Sequence, residues 1–325
     1  MLRQVVEAIE LLEDPRTDGA AAAAWVARHG PASVRHQRLD AERGSTDVVT
    51  VEIGSGTPCL GILGVLGGTG LRPERPGLVS DADGAVVALA AAAALAREAG
   101  WGDAPPGRVI VSTHICPRAL SRPHQPAPMM TCPVPRERVL AAQLDPAMEA
   151  VLAVDATRAN RVVNHTGFAV TPSVKEGWIL KPSADLLGLM EWATGEPPVV
   201  APVTMQDITP YSSGVAHINS MMQPATLTDA PVVGVALTAR AVVAGSATGA
   251  NPPFALDGAA RFCREVARAF GAGRCAFHDA AEFERLVSLY GSMRHLVGPG
   301  RSEAATAKAA TPTTPSAANS QGTGA

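Results

Sequence analysis

Short apolar runs alternate with amphipathic stretches along most of this chain, and the two periodicities predict its elements. Apolar positions three and four apart predict helices over Arg3–Leu12 and Gly19–His29. Strands are expected at Ser33–Leu39, Asp47–Ile53 and Leu60–Leu66, then at Leu78–Ser80 ahead of an alanine-rich helix from Gly84 to about Ala99. Val109–Thr113 reads as a strand, followed by a proline-rich loop over 117–135, a helix at Pro135–Gln143 and a strand at Val151–Asp155. Beyond these, Lys175–Lys181 reads as extended and Ala184–Thr194 as helical. Val199–Met205 and Pro231–Leu237 read as strands, and Leu256–Phe270 and Ala280–Val297 as the closing helices.

The runs Ile110–Val111, Leu152–Val154 and Val232–Val235 are apolar on consecutive positions, as in strands covered on both faces. Together with the intervening helices they define an α/β fold, a mixed and mostly parallel central sheet with helices on both faces. From about residue 299 the chain turns to Ala, Thr, Ser, Pro and Gly. That composition offers too little burial to offset the entropy of ordering, so 299–325 is expected to be a disordered tail behind a single domain over 1–298.

Composition narrows the function classes. Charged residues make up 18% of the 325, the net charge is −3 and aromatics stand at 4%. That gives neither the basic face nor the stacking platforms of a nucleic-acid binder. No leader or membrane-spanning stretch is expected: the N-terminal helix is amphipathic, and the most apolar run, Ala85–Leu95, is too short to cross a bilayer. The five cysteines are scattered and odd in number, which fits thiols in a reducing cytoplasm. The glycines of Gly61–Gly70 resemble a dinucleotide fingerprint, but Pro73 and Pro76 deny it the helix N-terminus on which a pyrophosphate rests.

Chemistry gathers where the apolar runs end. Leu78-Val79-Ser80 leads into Asp81-Ala82-Asp83-Gly84, the run at Val109 ends on Thr113-His114-Ile115-Cys116-Pro117, and Val151–Val154 ends on Asp155. Ligands of open α/β sheets bind beyond the carboxyl ends of the strands, so three polar tips form a candidate site if the strands are close neighbours. Asp81 or Asp83 is also suited to cap the following helix, leaving the other for the crevice. His114 and Cys116 share one face of an extended chain and suit a metal, or a base and nucleophile. His124 in the proline-rich loop reads either as a surface histidine or as one that reaches the site from above. A polar stretch after Val199–Val203 adds Gln206, Asp207, His217 and Asn219 as candidate substrate contacts, with Asp207 and His217 also candidate bases.

Four strings carry a family resemblance: Gly77–Ala85, Thr113–Pro117, Thr204-Met205-Gln206-Asp207-Ile208-Thr209-Pro210-Tyr211, and Leu289-Tyr290-Gly291-Ser292-Met293. On these the chain resembles an uncharacterised bacterial and archaeal family, domain of unknown function 1177, which implies no activity. The order of parts is more distantly similar to zinc aminopeptidases of the glutamyl-aminopeptidase and cellulase-M type. An Asp ahead of an alanine-rich helix matches Asp81–Leu95, and a strand ending in a metal-binding Asp matches Val154-Asp155-Ala156-Thr157. That family's His-x-Asp is absent near Gly64–Thr69, its paired glutamates are replaced by Thr113-His114, and its last His is absent near Ala244–Thr248.

The resemblance implies a zinc-aminopeptidase-like fold and a hydrolase of a small peptide or cyclic amide. One divalent ion, Zn or Mn, would be held by Asp81, His114 and Asp155, with Asp83, Asp207 or His217 as general base. Gln206, Asn219, Cys116 and His124 would line the substrate. A homo-oligomer is expected by the same analogy. The missing ligands support a different expectation, a non-catalytic descendant that binds a small molecule or assembles with a partner. A thiol hydrolase using Cys116 and His114 is a third.

Overall fold

A computed structural model describes residues 1–14, 16–65, 78, 80–117, 119–123, 129–157, 160–240 and 252–297, with backbone only at 80, 121, 122, 129 and 130. Two helices, α1 (Leu2–Glu13) and α2 (Gly19–Ala27), precede a hairpin of β1 (Ser33–Ala41) and β2 (Gly44–Ile53). Then come β3 (Cys59–Gly64), α3 (Asp83–Gly100), β4 (Arg108–Ile115), a small hairpin of β5 (Leu120–Arg122) and β6 (Met129–Thr131), α4 (Arg136–Gln143) and β7 (Ala150–Ala156). The remainder comprises β8 (Gly167–Val170), β9 (Val174–Lys175), β10 (Trp178–Ile179), α5 (Ala184–Thr194), β11 (Val232–Thr238), α6 (Pro253–Gly271) and α7 (Ala280–Tyr290).

The main sheet runs β1-β2-β4-β3-β7-β11-β9-β10, with β8 paired to β11. β4, β3, β7 and β11 are mutually parallel, while β2 joins β4 antiparallel and β8 and β9 join β11 antiparallel. The expected mixed α/β sheet is therefore present, with parallel pairing confined to its centre. Those central strands are apolar on both faces because both are covered. α3 and α6 lie over one core, which contains Val109, Val111, Leu152 and Val154. α4 and a 3-10 segment, Ser220–Thr226, lie over the other, which contains Ile110, Val151 and Ala153.

The alanines of α3 let the helix sit close on the sheet. Fourteen of its residues, from Asp83 to Ala96, are buried, and a side chain larger than methyl at most of them would hold the two layers apart. The approach is close at Gly64, where an added Cβ would lie 2.5 Å from Thr113 Oγ1 and 2.7 Å from the Gly84 carbonyl oxygen.

Three expected elements differ. Ser80, expected to end a strand, instead opens a 3-10 turn, Ser80–Ala82, that runs directly into α3, whose N-cap is Ala82, without a capping side chain; Val79 lies outside the described residues. So neither Asp81 nor Asp83 takes the N-cap position. Asp83 lies in the first helical turn, where a carboxylate complements the helix dipole. Val199–Met205 contributes only an isolated bridge, Val170 to Val200, and Met205–Ile208 is a 3-10 turn, since the hydrogen bonds of Thr204 go to Asp207 rather than to a ladder. The last helix stops at Tyr290 rather than Val297, because Gly291 takes φ 81°, a conformation glycine allows and helices do not. The two strands β5 and β6 lie within the proline-rich loop, which the sequence marks only as a long connection. The tail 299–325 lies outside the described residues.

Candidate active site

Asp155 lies near the end of β7 on the face that carries Val151 and Ala153, as side-chain alternation requires, and its side chain is 1% exposed. One carboxylate oxygen, Oδ1, accepts the Ala156 backbone N–H at 2.7 Å. The other, Oδ2, has no hydrogen-bond partner among the described residues and faces Arg136 Nη2 across 3.8 Å, too far for a hydrogen bond. Arg136 Nε and Nη2 lack partners among them as well. Burial raises the Asp155 carboxyl to about 7, with Arg136 pulling it down and the Asp81 charge pushing it up. Asp81, in the 3-10 turn before α3, thus acts on Asp155 through its field.

Arg136 is the first residue of α4, where a cation opposes the helix dipole, so tertiary contacts must hold it there. Its guanidinium carbon lies 4.8 Å from the centre of the Tyr211 ring, within reach of a cation–π attraction. The Tyr211 backbone N–H in turn donates to Gln223 Oε1 at 3.1 Å, and Gln223 Nε2 donates to the carbonyls of Asp207 and Thr209. At its other end α4 is fixed by Gln143, which donates to the Gly64 and Ser112 carbonyls at the end of the parallel strands. The position of Arg136 over Asp155 follows from these anchors.

The expected metal trio is not assembled. His114 and Asp155 face the same side of the sheet, but β3 lies between their strands. At normal strand spacing that sets their backbones about 10 Å apart. His114 turns away toward β2, where Nδ1 is 3.0 Å from Thr46 Oγ1. The Thr46 hydroxyl donates to the Ile115 carbonyl, so it accepts from His114 Nδ1–H and leaves Nε2 as the basic ring nitrogen. His114 also lies near Cys132, which follows β6, and Cys116 Sγ donates to the Ser45 carbonyl at 4.0 Å. Among the described residues, no group of three or more His, Cys, Asp or Glu is arranged to hold a metal ion.

Asp207 is not placed as a general base either. It is fully buried, and its carboxylate accepts four hydrogen bonds: Thr204 N–H and Oγ1–H on Oδ2, and the backbone N–H groups of Ile218 and Asn219 on Oδ1. It organises the polar loop instead. His217 Nε2 bonds Thr209 within the same loop and its ring packs on Tyr211. Asn219 is buried, donating to the Pro202 carbonyl and accepting from Thr157 Oγ1 just beyond β7. Gln206 is exposed, Asp83 and Cys116 are fully buried, and His124 lies outside the described residues.

The residues that sequence reasoning missed are Arg136, Tyr211 and Gln223. A readable signal existed for one of them: an arginine at the first position of a helix, against the dipole, calls for a buried anion nearby. A separate cavity of about 550 Å³ lies between α5 and α7, lined by Lys181, Asp185, His278 and Glu282, and takes in none of the expected site residues.

Residues 37–300 match the family model described as "Protein of unknown function (DUF1177)". The chain belongs to this family. No curated protein matches it. Among solved structures it is similar to the LapA aminopeptidase of Legionella pneumophila, at 12% identity and a TM-score of 0.51, over 85% of this chain and 71% of that one. A second LapA structure gives 12% identity and 0.50, over 82% and 72%. A glutaminyl cyclase from an Acidobacteriales bacterium gives 13% and 0.49, over 84% and 94%. At these identities the likeness is one of fold, and the DUF1177 chain has the α/β layout of the LapA aminopeptidase.

Proposed function

We propose that this DUF1177 protein is a hydrolase of a small peptide or cyclic amide, with its site at the carboxyl end of β7. One observation carries the reading. A buried carboxylate oxygen on Asp155 faces the Arg136 guanidinium, and that oxygen and Arg136 Nε and Nη2 lack hydrogen-bond partners among the described residues, at the sheet edge where α/β folds bind ligands. Two buried groups left so close and unmade are expected to be completed by a ligand. An aminopeptidase-like fold supports the choice of an amide as that ligand.

The donor set does not fit the single Zn or Mn ion expected from the sequence. The sequence resemblance assigns Asp81 and Asp155 to the two carboxylate positions, but His114 Nδ1 is engaged by Thr46, and the cation beside Asp155 is a guanidinium. The chemistry therefore falls to the side chains. Asp155, ionised with a pKa near neutrality, takes a proton from an attacking water, and Asp81 biases that proton's sharing. Arg136, steadied by Tyr211, offers N–H donors to the oxygen that gains charge when the amide carbonyl is attacked. The substrate is small because the groups that would act on it are recessed, and a homo-oligomer remains part of the reading.

The test is a screen of aminoacyl, pyroglutamyl and cyclic amides, repeated with a chelator and with Asp155→Asn. Turnover that resists the chelator and is lost in the Asp155→Asn variant supports the reading; turnover that vanishes with the chelator and returns with Zn or Mn overturns the metal-free form. A second reading, a non-catalytic binder of a small carboxylate, is favoured by the Arg136 donors left unmade among the described residues. It predicts no turnover with any amide, ligand affinity kept in Asp155→Asn, and affinity lost in Arg136→Met.

A further inference from the structure

Beside Asp155 the sheet end carries a further buried polar group that the reading above does not use. β11 runs parallel to β7 with Ala236 opposite Asp155, so Thr238, two residues on, shares the face of the sheet that carries Asp155. Thr238 is 1% exposed, and its Oγ1 has no hydrogen-bond partner among the described residues. The polar groups around it are committed elsewhere. Thr157, just past β7, donates its N–H to the Leu237 carbonyl and its hydroxyl to Asn219, whose side-chain nitrogen donates to the Pro202 carbonyl. On the other side its partner on β8 is Gly167, which brings no side chain. Among the described residues nothing lies within 4 Å of the place a Cβ would take there. A buried hydroxyl left unmade costs stability that a valine of the same shape would not, so this one is expected to be completed by a ligand. We propose that Thr238 is a substrate-binding residue of the site at the end of β7, and that the substrate it selects is a linear peptide of two-residue length.

The spacing carries the choice of substrate. At ordinary strand separation and rise, a residue one strand over and two positions on lies about 8 Å from Asp155, backbone to backbone. An extended peptide covers about 7 Å in two residues. A ligand whose first amide lies between Asp155 and Arg136 therefore brings its second amide to Thr238, where the hydroxyl can donate to a carbonyl or accept an N–H. A single aminoacyl amide or a small cyclic amide ends short of it. The inference rests on the amide-hydrolase reading and narrows it, from small peptides and cyclic amides to linear peptides held at two amides. Thr238 takes no part in bond cleavage. It holds the far end of the substrate so that the first carbonyl stays under the Arg136 donors.

Alaninamide and alanyl-alaninamide are titrated into the full-length protein by calorimetry, and turnover of both is followed by product release. The expected result is that alanyl-alaninamide binds at least about tenfold more tightly, the worth of a hydrogen bond to a group otherwise left buried and unpaired. In Thr238→Val the ratio falls toward one, and KM for alanyl-alaninamide rises by more than kcat falls. The urea midpoint of that variant does not drop, because no internal hydrogen bond is lost, and Thr238→Ser keeps the preference. Equal affinity for the two amides in the unsubstituted protein, binding of neither, or a preference kept in Thr238→Val overturns the proposal. So does a Thr238→Val protein that is less stable or fails to fold, which marks the hydroxyl as structural. The tenfold preference, lost in Thr238→Val but without turnover of either amide, upholds Thr238 and overturns the hydrolase reading instead.

Discussion

Arg136 Nη2 lies 3.8 Å from Asp155 Oδ2, and neither atom makes a hydrogen bond with a described residue. The pair is close enough to feel one another's charge and too far apart to satisfy it, which is the arrangement of groups that await a third. It also makes stability pH-dependent. The Asp155 carboxyl rises from 3.8 to about 7 on folding, chiefly through burial. A group whose folded pKa is raised contributes fully below its unfolded value. That contribution is lost as pH climbs through the window from about 4 to about 7. Asp155→Asn, neutral throughout, is expected to gain on the unsubstituted protein across that window by up to about 4 kcal/mol. Urea midpoints of both proteins at about pH 4.5 and about pH 8, within and above the window, measure it. A difference that does not change with pH contradicts the assignment.

Removing the other partner should have a matching signature. Arg136→Met leaves a buried carboxylate without its counter-cation, a loss of about 3 kcal/mol when Asp155 is charged and much less when it is protonated. The variant is therefore expected to be destabilised more at alkaline than at acidic pH, the same direction of pH dependence being steepened rather than removed. Equal destabilisation at both ends would mean that Arg136 contributes by packing on Tyr211 alone.

Asp207 illustrates a carboxylate spent on structure. With four donors on its two oxygens, Asp207→Asn would turn one acceptor into an amide facing existing donors. A destabilisation of about 2 kcal/mol is expected, with faster hydrogen exchange at the Ile218 and Asn219 amides and little change at those of β7. Stability unchanged from the unsubstituted protein would reopen Asp207 as a base.

The layers of this fold were legible because burial on both faces leaves unbroken apolar runs, as at Ile110–Val111 and Val232–Val235. Ala184–Thr194 was legible to the residue, since Ser183 caps its start and Gly195 takes the left-handed conformation at its end. The 3-10 turn at Ser80–Ala82 was not, because so short a run before a helix carries no period that separates a strand end from a turn. The site was half legible. The Asp81 and Asp155 positions follow from local sequence, but which side chains meet them depends on strand order. A β3 strand inserted between β4 and β7 moves His114 away from Asp155 and toward Thr46, and no periodicity encodes that insertion. Arg136 reaches the site from a helix on the covering layer, a relationship made only by tertiary packing.

Gly64 offers a test of how closely α3 is set against the sheet end that carries the site. An added methyl would meet Thr113 Oγ1 at 2.5 Å and the Gly84 carbonyl at 2.7 Å, both nearer than van der Waals contact. The threonine can yield, because its side chain is removable; the Gly84 carbonyl belongs to the first turn of α3 and cannot move without the helix. Gly64→Ala is therefore expected to cost about 2–3 kcal/mol, in the range of overpacked cores. Adding Thr113→Ala should recover only part of that cost, since it clears one contact and leaves the backbone one. Because the first turn of α3 adjoins Asp81, the displaced helix should also alter the pH dependence assigned above to Asp155. Full recovery in the double variant would show that α3 has room to shift, and that its tight seating is not what holds Asp81 beside Asp155.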